Sequence, residues 1–424
     1  MPSYLTGLEC IRCGKKYPAA ALFAGCDRHS GPESANLTPT YDYEGIMRSF
    51  SRRALTERPA TMWRYQEFFP AAPDEVVSLS EGFTPLLKCS RIGERLGLRN
   101  LYIKDESRNP TWSFKDRMAS SAVSMAGRFG ARVIVTSSSG NAGSASAAYA
   151  ARAGLECVVF TTQQFPLTMK VQMQSYGTML AACPTLEDRW RMVQQCVETL
   201  GWYPIAGYTI PMIGCNPYGM DGYKSIAFEI VEQLGWKAPD AVVMPVGGGD
   251  AFYATWKGFQ EWQRLGLIDG LPRMVAAEVF GPLASALAKG LDHVEPVPYG
   301  PTVAVSSGTY TSTFQALKTL RQSNGLARRV PEEDIVAMQK ELAELEGLYA
   351  EMSSVTSLAA LKSMVSEGVI DEGAVVVALL TSTGIKHPEV TATYLPQIPA
   401  IQPTLESLGE ALNQTYGFSL TAAV

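Results

Sequence analysis

Five groups of residues in this chain could do chemistry. Lys115 stands in "NPTWSFKDRM", Asn109 to Met118, after a turn-like Asn-Pro-Thr and before a helix-like run. A lysine there is either a solvated surface charge or a buried amine, and a buried amine has a lowered pKa and can attack a carbonyl near neutral pH. The second group is "TSSSGNAGS", Thr136 to Ser144. Its hydroxyls, Gly140 and the following helix start gather donors suited to a carboxylate, and the Asn141 amide could bond a further oxygen; an ordinary capped helix start would use the same residues. The third is "PVGGGDAFYATWKG", Pro245 to Gly258. Gly247, Gly248 and Gly249 would let the backbone approach a phosphate at a helix N-terminus, and a plain glycine turn is the competing reading. Asp250 in that bend would set an anion beside such a phosphate, or would cap the next helix through its side chain. In the fourth, "LLTSTGIKHP", Leu379 to Pro388, the Thr381 hydroxyl at a buried strand end needs a partner, either a heteroaromatic nitrogen or a backbone carbonyl.

The fifth group is Cys10, Cys13, Cys26 and His29, from "CIRCGKKYP" and "CDRHSG". The C-x2-C-x12-C-x2-H pattern supplies the two short-spaced ligand pairs that tetrahedral zinc wants, with a glycine after the first pair as in a zinc knuckle. Such a site would be structural, because four protein ligands leave no open position. The alternative is a metal-free ribbon whose cysteines pack as small hydrophobes. His293 and His387 stand alone and fit surface or capping roles.

Strand-like and helix-like segments alternate from about Leu101. "LYIK", "RVIVTSS", "ECVVFTT", "DAVVMPVGGG", "RMVAAEVF" and "AVVVALLTSTG" read as strands. The run after Lys115, "AGSASAAYAARAG", "DGYKSIAFEIVEQLGW", "FYATWKGFQEWQRLG" and "EEDIVAMQKELAELEGLYAE" read as helices. Short apolar strands between helices predict α/β architecture: open, mainly parallel sheets with helices on both faces. Ligands of such sheets bind at the carboxyl ends of the strands, where three of the loops above lie. The first forty residues and the Pro-containing tail "HPEVTATYLPQIPAIQP" break the alternation and read as appendages.

A chain of 424 residues can build two or three lobes. Its net charge of -5 gives no footprint for nucleic acid. The most apolar short run, Ala374 to Leu380, is far below the roughly 20 residues needed to span a bilayer, so no membrane partner is expected. The N-terminus lacks the apolar core of a secretion signal. Eight scattered cysteines do not suggest a disulfide framework, and a cytoplasmic location is the expectation.

Taken together, a lysine at a helix entrance, an anion loop, a phosphate cradle and a terminal hydroxyl match the parts of pyridoxal 5'-phosphate: aldehyde, phosphate and ring nitrogen. In its order of motifs the chain resembles the fold-type II pyridoxal-phosphate enzymes, the tryptophan synthase β family, and within it the threonine synthase branch. "EGFTPL" resembles the family's entry motif, "NPTWSFKDR" its cofactor-lysine motif and "SSGNAG" its substrate loop. "MKVQMQSYG", "NPYGMDGYKSIAFEI" and "LLTSTGIKHP" are similar to the threonine synthase branch in particular. The resemblance implies that Lys115 holds the cofactor covalently and later moves protons, and that Phe114 packs near the ring, an ordinary core contact being the other reading. It implies that Asn141 bonds the ring 3' oxygen, that Gly247, Gly248, Gly249, Asp250 and Ala251 surround the phosphate, and that Thr381 meets the ring nitrogen. A hydroxyl there leaves that nitrogen largely unprotonated, which suits elimination. Ser138, Ser139 and Gly140 would grip the substrate carboxylate.

The domains so implied are a zinc-ribbon-like segment over 1–40, a large cofactor-binding domain from 41–105 and 207–424, and a small mobile domain over 106–206. A homodimer is the family habit. The departures from the pattern fall on the substrate side. Trp112 stands where a glycine is usual, Ala142 where the family has a threonine, Gly219 where an arginine would bind a substrate phosphate, and Ser382-Thr383-Gly384 where the family reads Gly-His-Gly. The expected activity is therefore that of a lyase or synthase performing β- or γ-elimination or replacement on a small amino acid, with a pocket altered around Trp112 and Ala142. The alternatives are threonine synthesis from O-phosphohomoserine and a non-catalytic relative that has kept the fold.

Overall fold

A computed structural model describes residues 3–420. Three sheets organise it. β1 (Leu5–Cys10), β2 (Lys16–Tyr17) and β3 (Leu37–Tyr41) form an antiparallel sheet in the order β2-β1-β3. β4 (Leu86–Lys88) pairs antiparallel with β5 (Asn100–Asp105). The chain then builds a separate four-stranded sheet from β6 (Val133–Ser137), β7 (Glu156–Thr161), β8 (Met179–Ala182) and β9 (Tyr203–Pro204), in the order β8-β7-β6-β9 and wholly parallel. β10 (Ala241–Pro245), β11 (Arg273–Glu278), β12 (Leu326–Arg329) and β13 (Val375–Leu380) rejoin the first strands in a six-stranded sheet, β12-β11-β10-β13-β5-β4, parallel except for β4. These are the two open, mainly parallel sheets that the apolar strands predict, since strands covered on both faces read as continuous hydrophobic runs.

The six strands read from the sequence coincide with β5, β6, β7, β10, β11 and β13. Two helices differ: "EEDIVAMQKELAELEGLYAE" ends at Glu346, closed by Gly347 in the left-handed region, and "DGYKSIAFEIVEQLGW" is interrupted at Tyr223–Lys224, between Pro217–Gly222 and Ser225–Gln233. The interruption serves packing. A Cβ at Gly222 would come 2.2 Å from the carbonyl oxygen of Arg117, and one at Gly219 would meet Ala122 Cβ at 3.0 Å. The helix Pro217–Gly222 thus lies against Lys115–Ala126 at backbone distance, made possible by the small residues Ala119, Ser121 and Ala122, all buried.

The first forty residues are less separate than the sequence suggests. Leu8, Ile11 and Leu37 are buried in the same core as Trp256, Phe259 and Trp262. The body of the chain runs through Lys386, and residues from His387 form a unit of their own. Within that second unit the helix Leu405–Tyr416 is capped by Thr404, which accepts from Ser407 N–H, and closed by Gly417 in the left-handed region. Among the described residues no helix is long and apolar enough to cross a membrane.

Candidate active site

Lys115 opens the helix Lys115–Ala126, and the two residues after it hold it there. Arg117 is fully buried and bound by two carboxylates. Its Nε and Nη2 donate to Glu106 at 2.6 and 2.7 Å, and its Nη1 and Nη2 donate to Glu229 at 2.5 and 2.8 Å. Lys104 Nζ, also buried, donates to the second Glu229 oxygen at 2.7 Å, so two cations balance two carboxylates. Asp116 accepts from the Thr111 N–H and hydroxyl, both at 3.0 Å, and burial pushes its carboxyl up to about 7. The sequence "TWSFKDR" is therefore pinned from both sides, Asp116 by the preceding turn and Arg117 by Glu106, just after β5, and Glu229 on the helix Ser225–Gln233.

The Lys115 side chain keeps some surface open while its amine is enclosed. Nζ lies 3.1 Å from the Tyr223 hydroxyl and 4.5 Å from the centre of the Phe114 ring. Burial lowers its pKa from the ordinary lysine value; the acidic neighbours Cys215, Asp250 and Glu351 oppose that without reversing it. The nitrogen is not a solvated surface charge: it sits between the Phe114 and Tyr223 rings, its pKa lowered by burial.

At the end of β10, the Gly247 carbonyl accepts from Ser312 Oγ at 2.8 Å and the Gly248 carbonyl from Thr313 Oγ1 at 2.6 Å. Among the described residues no backbone carbonyl takes the N–H groups of Gly247, Gly248 or Gly249 outside regular elements. The first turn of the following helix, Asp250–Arg264 with Ala251 in its first turn, adds further unspent donors. Gly249 has φ +91°, and a Cβ there would stand 2.4 Å from Ala316 Cβ, so the bend requires glycine. Such a bend, with carbonyls tied back and N–H groups free at a helix start, fits a phosphate. Asp250 does not cap its own helix. Its carboxylate turns away to accept from Cys215 N–H at 3.0 Å and Gln315 Nε2 at 2.9 Å, and burial raises its pKa.

Thr381 follows β13, the strand beside β10. Its buried hydroxyl lies 2.8 Å from Ser354 Oγ, and its carbonyl accepts from Phe114 N–H at 2.9 Å. The partner of this hydroxyl is thus another hydroxyl, and neither carries a charge that would protonate a ring nitrogen. Asn141, buried at the start of the helix Asn141–Ala153, donates to Glu351 at 2.8 Å and accepts from Ser382 Oγ at 3.3 Å. Ser306 donates to the other Glu351 oxygen.

The loop before Asn141 divides its hydroxyls. Ser138 Oγ accepts from Gly143 N–H at 2.9 Å and Gly140 N–H at 3.1 Å, which makes it the cap of the helix start. Ser139 Oγ lies 3.0 Å from Thr161 Oγ1 and accepts from Arg189 Nη1 at 2.6 Å. Space opens at Gly140, where a Cβ would meet only Met169 Cε at 3.8 Å and Ser306 Oγ at 4.0 Å. Ala142 is half-buried beside it. Trp112 is 50% exposed with φ +65°, in the left-handed region that its family's glycine would occupy freely, and Lys386 Nζ lies 5.7 Å from its ring.

Tyr223, Glu351, Ser354, Ser306 and Arg189 were not singled out from the sequence. Each lies far along the chain from the motif it serves, and only Tyr223 falls inside a motif that the sequence marks, "NPYGMDGYK".

An amine with a lowered pKa, a glycine bend at the end of β10 and the uncharged Thr381–Ser354 hydroxyl pair beside the end of β13 would suit an aldehyde cofactor with a phosphate and a neutral ring nitrogen. The family described as "Pyridoxal-phosphate dependent enzyme" matches residues 77–382, and the chain belongs to it. Among its relatives, the threonine synthase of Methanocaldococcus jannaschii is 35% identical over 388 residues, covering 90% of this chain and 93% of that protein. The threonine synthase of Methanosarcina acetivorans is 33% identical, covering 96% of this chain and 98% of that protein. Among solved structures, maize serine racemase superposes with a TM-score of 0.62 at 20% identity, covering 73% of this chain and 91% of that one. An L-serine ammonia-lyase of Rhizomucor miehei gives 0.63 at 18%, covering 74% and 98%. The chain is a pyridoxal-phosphate-dependent enzyme of the fold-type II architecture, with threonine synthases and a lyase among the proteins it resembles.

Proposed function

We propose that the enzyme carries out elimination or replacement at the β or γ carbon of a small amino acid, and that its substrate is not phosphorylated homoserine. When bound, pyridoxal phosphate supplies the carbonyl for the amino group and the electron sink that weakens bonds at the neighbouring carbons. Lys115 would hold the cofactor and could move protons at the substrate through its nitrogen, which lies 3.1 Å from the Tyr223 hydroxyl. Thr381 and Ser354 would offer the ring nitrogen only uncharged hydroxyls, which would suit expulsion of a leaving group. Gly247 to Ala251 hold the phosphate through N–H groups, with the Asp250 carboxylate held away on Cys215 and Gln315. Ser139 and Gly140 take the substrate carboxylate, and Arg189 brings a guanidinium to the same loop. Residues 106–206 would act as the small lobe that closes over substrate.

The observation that carries the altered substrate is Gly219. The space in which a side chain would start is filled by Ala122 Cβ at 3.0 Å and Met118 Cγ at 3.1 Å. Any side chain there would press on those two neighbours, and with no guanidinium at this position a phosphorylated homoserine would lose that charge-assisted partner. Threonine synthesis is the second reading, favoured by relatives of that name at 35% and 33% identity. Steady-state assays separate the two. The first reading expects keto acid or ammonia release from serine, threonine, homoserine or their acylated esters, with O-phosphohomoserine a poor substrate. Efficient formation of threonine and phosphate would overturn it.

A further inference from the structure

The N-terminal cysteines and His29 do not belong to the catalytic cleft, yet they converge. Cys10 ends β1, Cys13 follows in a turn closed by Gly14 at φ +72°, and Cys26 and His29 come from the loop before β3. One ligand atom from each lies within 4.8 Å of all the others. Cys13 Sγ and Cys26 Sγ are 3.9 Å apart. A disulfide needs about 2.0 Å, whereas two thiolates on one tetrahedral zinc, with bonds of about 2.3 Å, stand roughly 3.8 Å apart. All three cysteines are free thiols.

Two further observations point to a ligand. His29 Nε2 is buried with no hydrogen-bond partner, while its Nδ1 faces the Glu33 carboxylate at 3.9 Å, the outer partner that metal-bound imidazoles commonly have. The sulfurs already receive donors. Cys13 N–H reaches Cys10 Sγ at 3.5 Å, and the Tyr17 hydroxyl reaches Cys26 Sγ at 3.1 Å.

The knuckle also touches what holds the phosphate cradle. Lys318 Nζ donates to the Ile11 carbonyl at 2.6 Å, and the Arg12 guanidinium stacks 3.9 Å over the Phe314 ring. Both partners lie on the helix Phe314–Gln322, whose preceding residue, Thr313, holds the Gly248 carbonyl. On a second path, Ile11 N–H donates to the Asn36 carbonyl, and Asn36 Nδ2 donates to the Cys215 carbonyl at 2.8 Å. Cys215 N–H in turn holds the Asp250 carboxylate.

We propose that Cys10, Cys13, Cys26 and His29 bind one zinc ion in a closed structural site, and that this clasp steadies the glycine cradle through Phe314–Gln322 and Asn36. The second half rests on the cofactor reading; the metal content does not, so the two can fail separately.

The test uses the full-length, tag-free protein. Elemental analysis should give one zinc per chain, lost in Cys13→Ala. Protein stripped with a chelator and refilled with cobalt(II) should show thiolate-to-metal charge transfer and the visible bands of a tetrahedral ion. Protein that carries no zinc, and after stripping takes up neither zinc nor cobalt, would overturn the site. For the clasp, pyridoxal phosphate is titrated spectrophotometrically into cofactor-free protein with and without zinc. Zinc removal should weaken binding about fivefold or more. Asn36→Ala should retain zinc, which shows that it folds, and weaken the cofactor in the same direction. Zinc-free protein and Asn36→Ala that both bind the cofactor as tightly as the parent would overturn the clasp.

Discussion

On the wall proposed to meet the cofactor, polar groups arrive already bonded. Thr381 is paired with Ser354, Asn141 with Glu351, the glycine carbonyls with Ser312 and Thr313, and Asp250 with Cys215 and Gln315. On the substrate wall, Trp112 is half exposed in a strained backbone region, Ala142 offers no hydroxyl, Gly140 faces open space and Gly219 is walled in by Met118 and Ala122. One wall is preorganised for a fixed molecule. The other departs from its family's pattern in both size and charge, with bulk added at Trp112 and Gly219 and Thr383 standing where an arginine and a histidine are usual. On the proposed reading, binding energy on the first wall would go into holding the cofactor in one pose, which would leave discrimination among amino acids to the second.

The comparison breaks most completely at Lys115. Lys115→Ala should remove covalent cofactor capture and turnover altogether, read as loss of the yellow colour that borohydride bleaches in the parent. A variant that stayed yellow and borohydride-sensitive would mean that another amine does this work. The next largest effect lies behind that lysine. Arg117→Met leaves Glu106 and Glu229 with Lys104 alone to balance them in a fully buried setting, and breaking such a network costs about 3–5 kcal/mol. Urea denaturation should report a loss of that order, and a change below about 1 kcal/mol would show the cluster to be dispensable.

A pH series sharpens the same wall. Lys115 captures an aldehyde only as the neutral amine, and burial lowers its pKa below the ordinary lysine value. The rate of covalent reconstitution of cofactor-free protein should therefore rise with pH and level off at lower pH than for free lysine. Stopped-flow absorbance measures it; a midpoint at or above the free lysine value would mean that Cys215, Asp250 and Glu351, not burial, govern the amine.

The sequence exposed the first wall far better than the second. Lys115, the glycine bend and Thr381 each sit at a strand end or helix start, where a short local pattern coincides with the place that α/β sheets put ligands. The six strands were legible because burial on both faces makes them continuous apolar runs. Glu351 and Ser354 were not legible: Glu351 falls at the end of "EEDIVAMQKELAELEGLYAE", read as a helix, Ser354 lies outside every segment read as chemistry, and only the long-range contacts to Asn141 and Thr381 bring the two to the site. Arg189 is hidden for the same reason, on the helix Leu186–Leu200, fifty positions beyond Ser139. The packing of the first forty residues into the main core was likewise invisible, because isolated apolar residues such as Leu8 and Leu37 do not announce which core they join.

The smallest expected effect bears on the second wall. At φ +65° a non-glycine residue costs about 1–2 kcal/mol, whereas placing glycine costs about 0.5–1 kcal/mol of extra chain entropy. Because half of the Trp112 surface is exposed, its ring recovers only part of a buried aromatic's stabilisation. Trp112→Gly should therefore leave the fold as stable as before, or more so by roughly 0.5 kcal/mol. Thermal denaturation checks that, and a loss above about 1 kcal/mol would make the ring a packing residue. If stability holds, the strained tryptophan has no purpose in folding, and its place three residues before Lys115 makes the substrate its reason. KM for the best amino acid should then shift while the cofactor dissociation constant stays fixed. Should the cofactor constant move as well, the two walls are not independent, and the division between them fails at this residue.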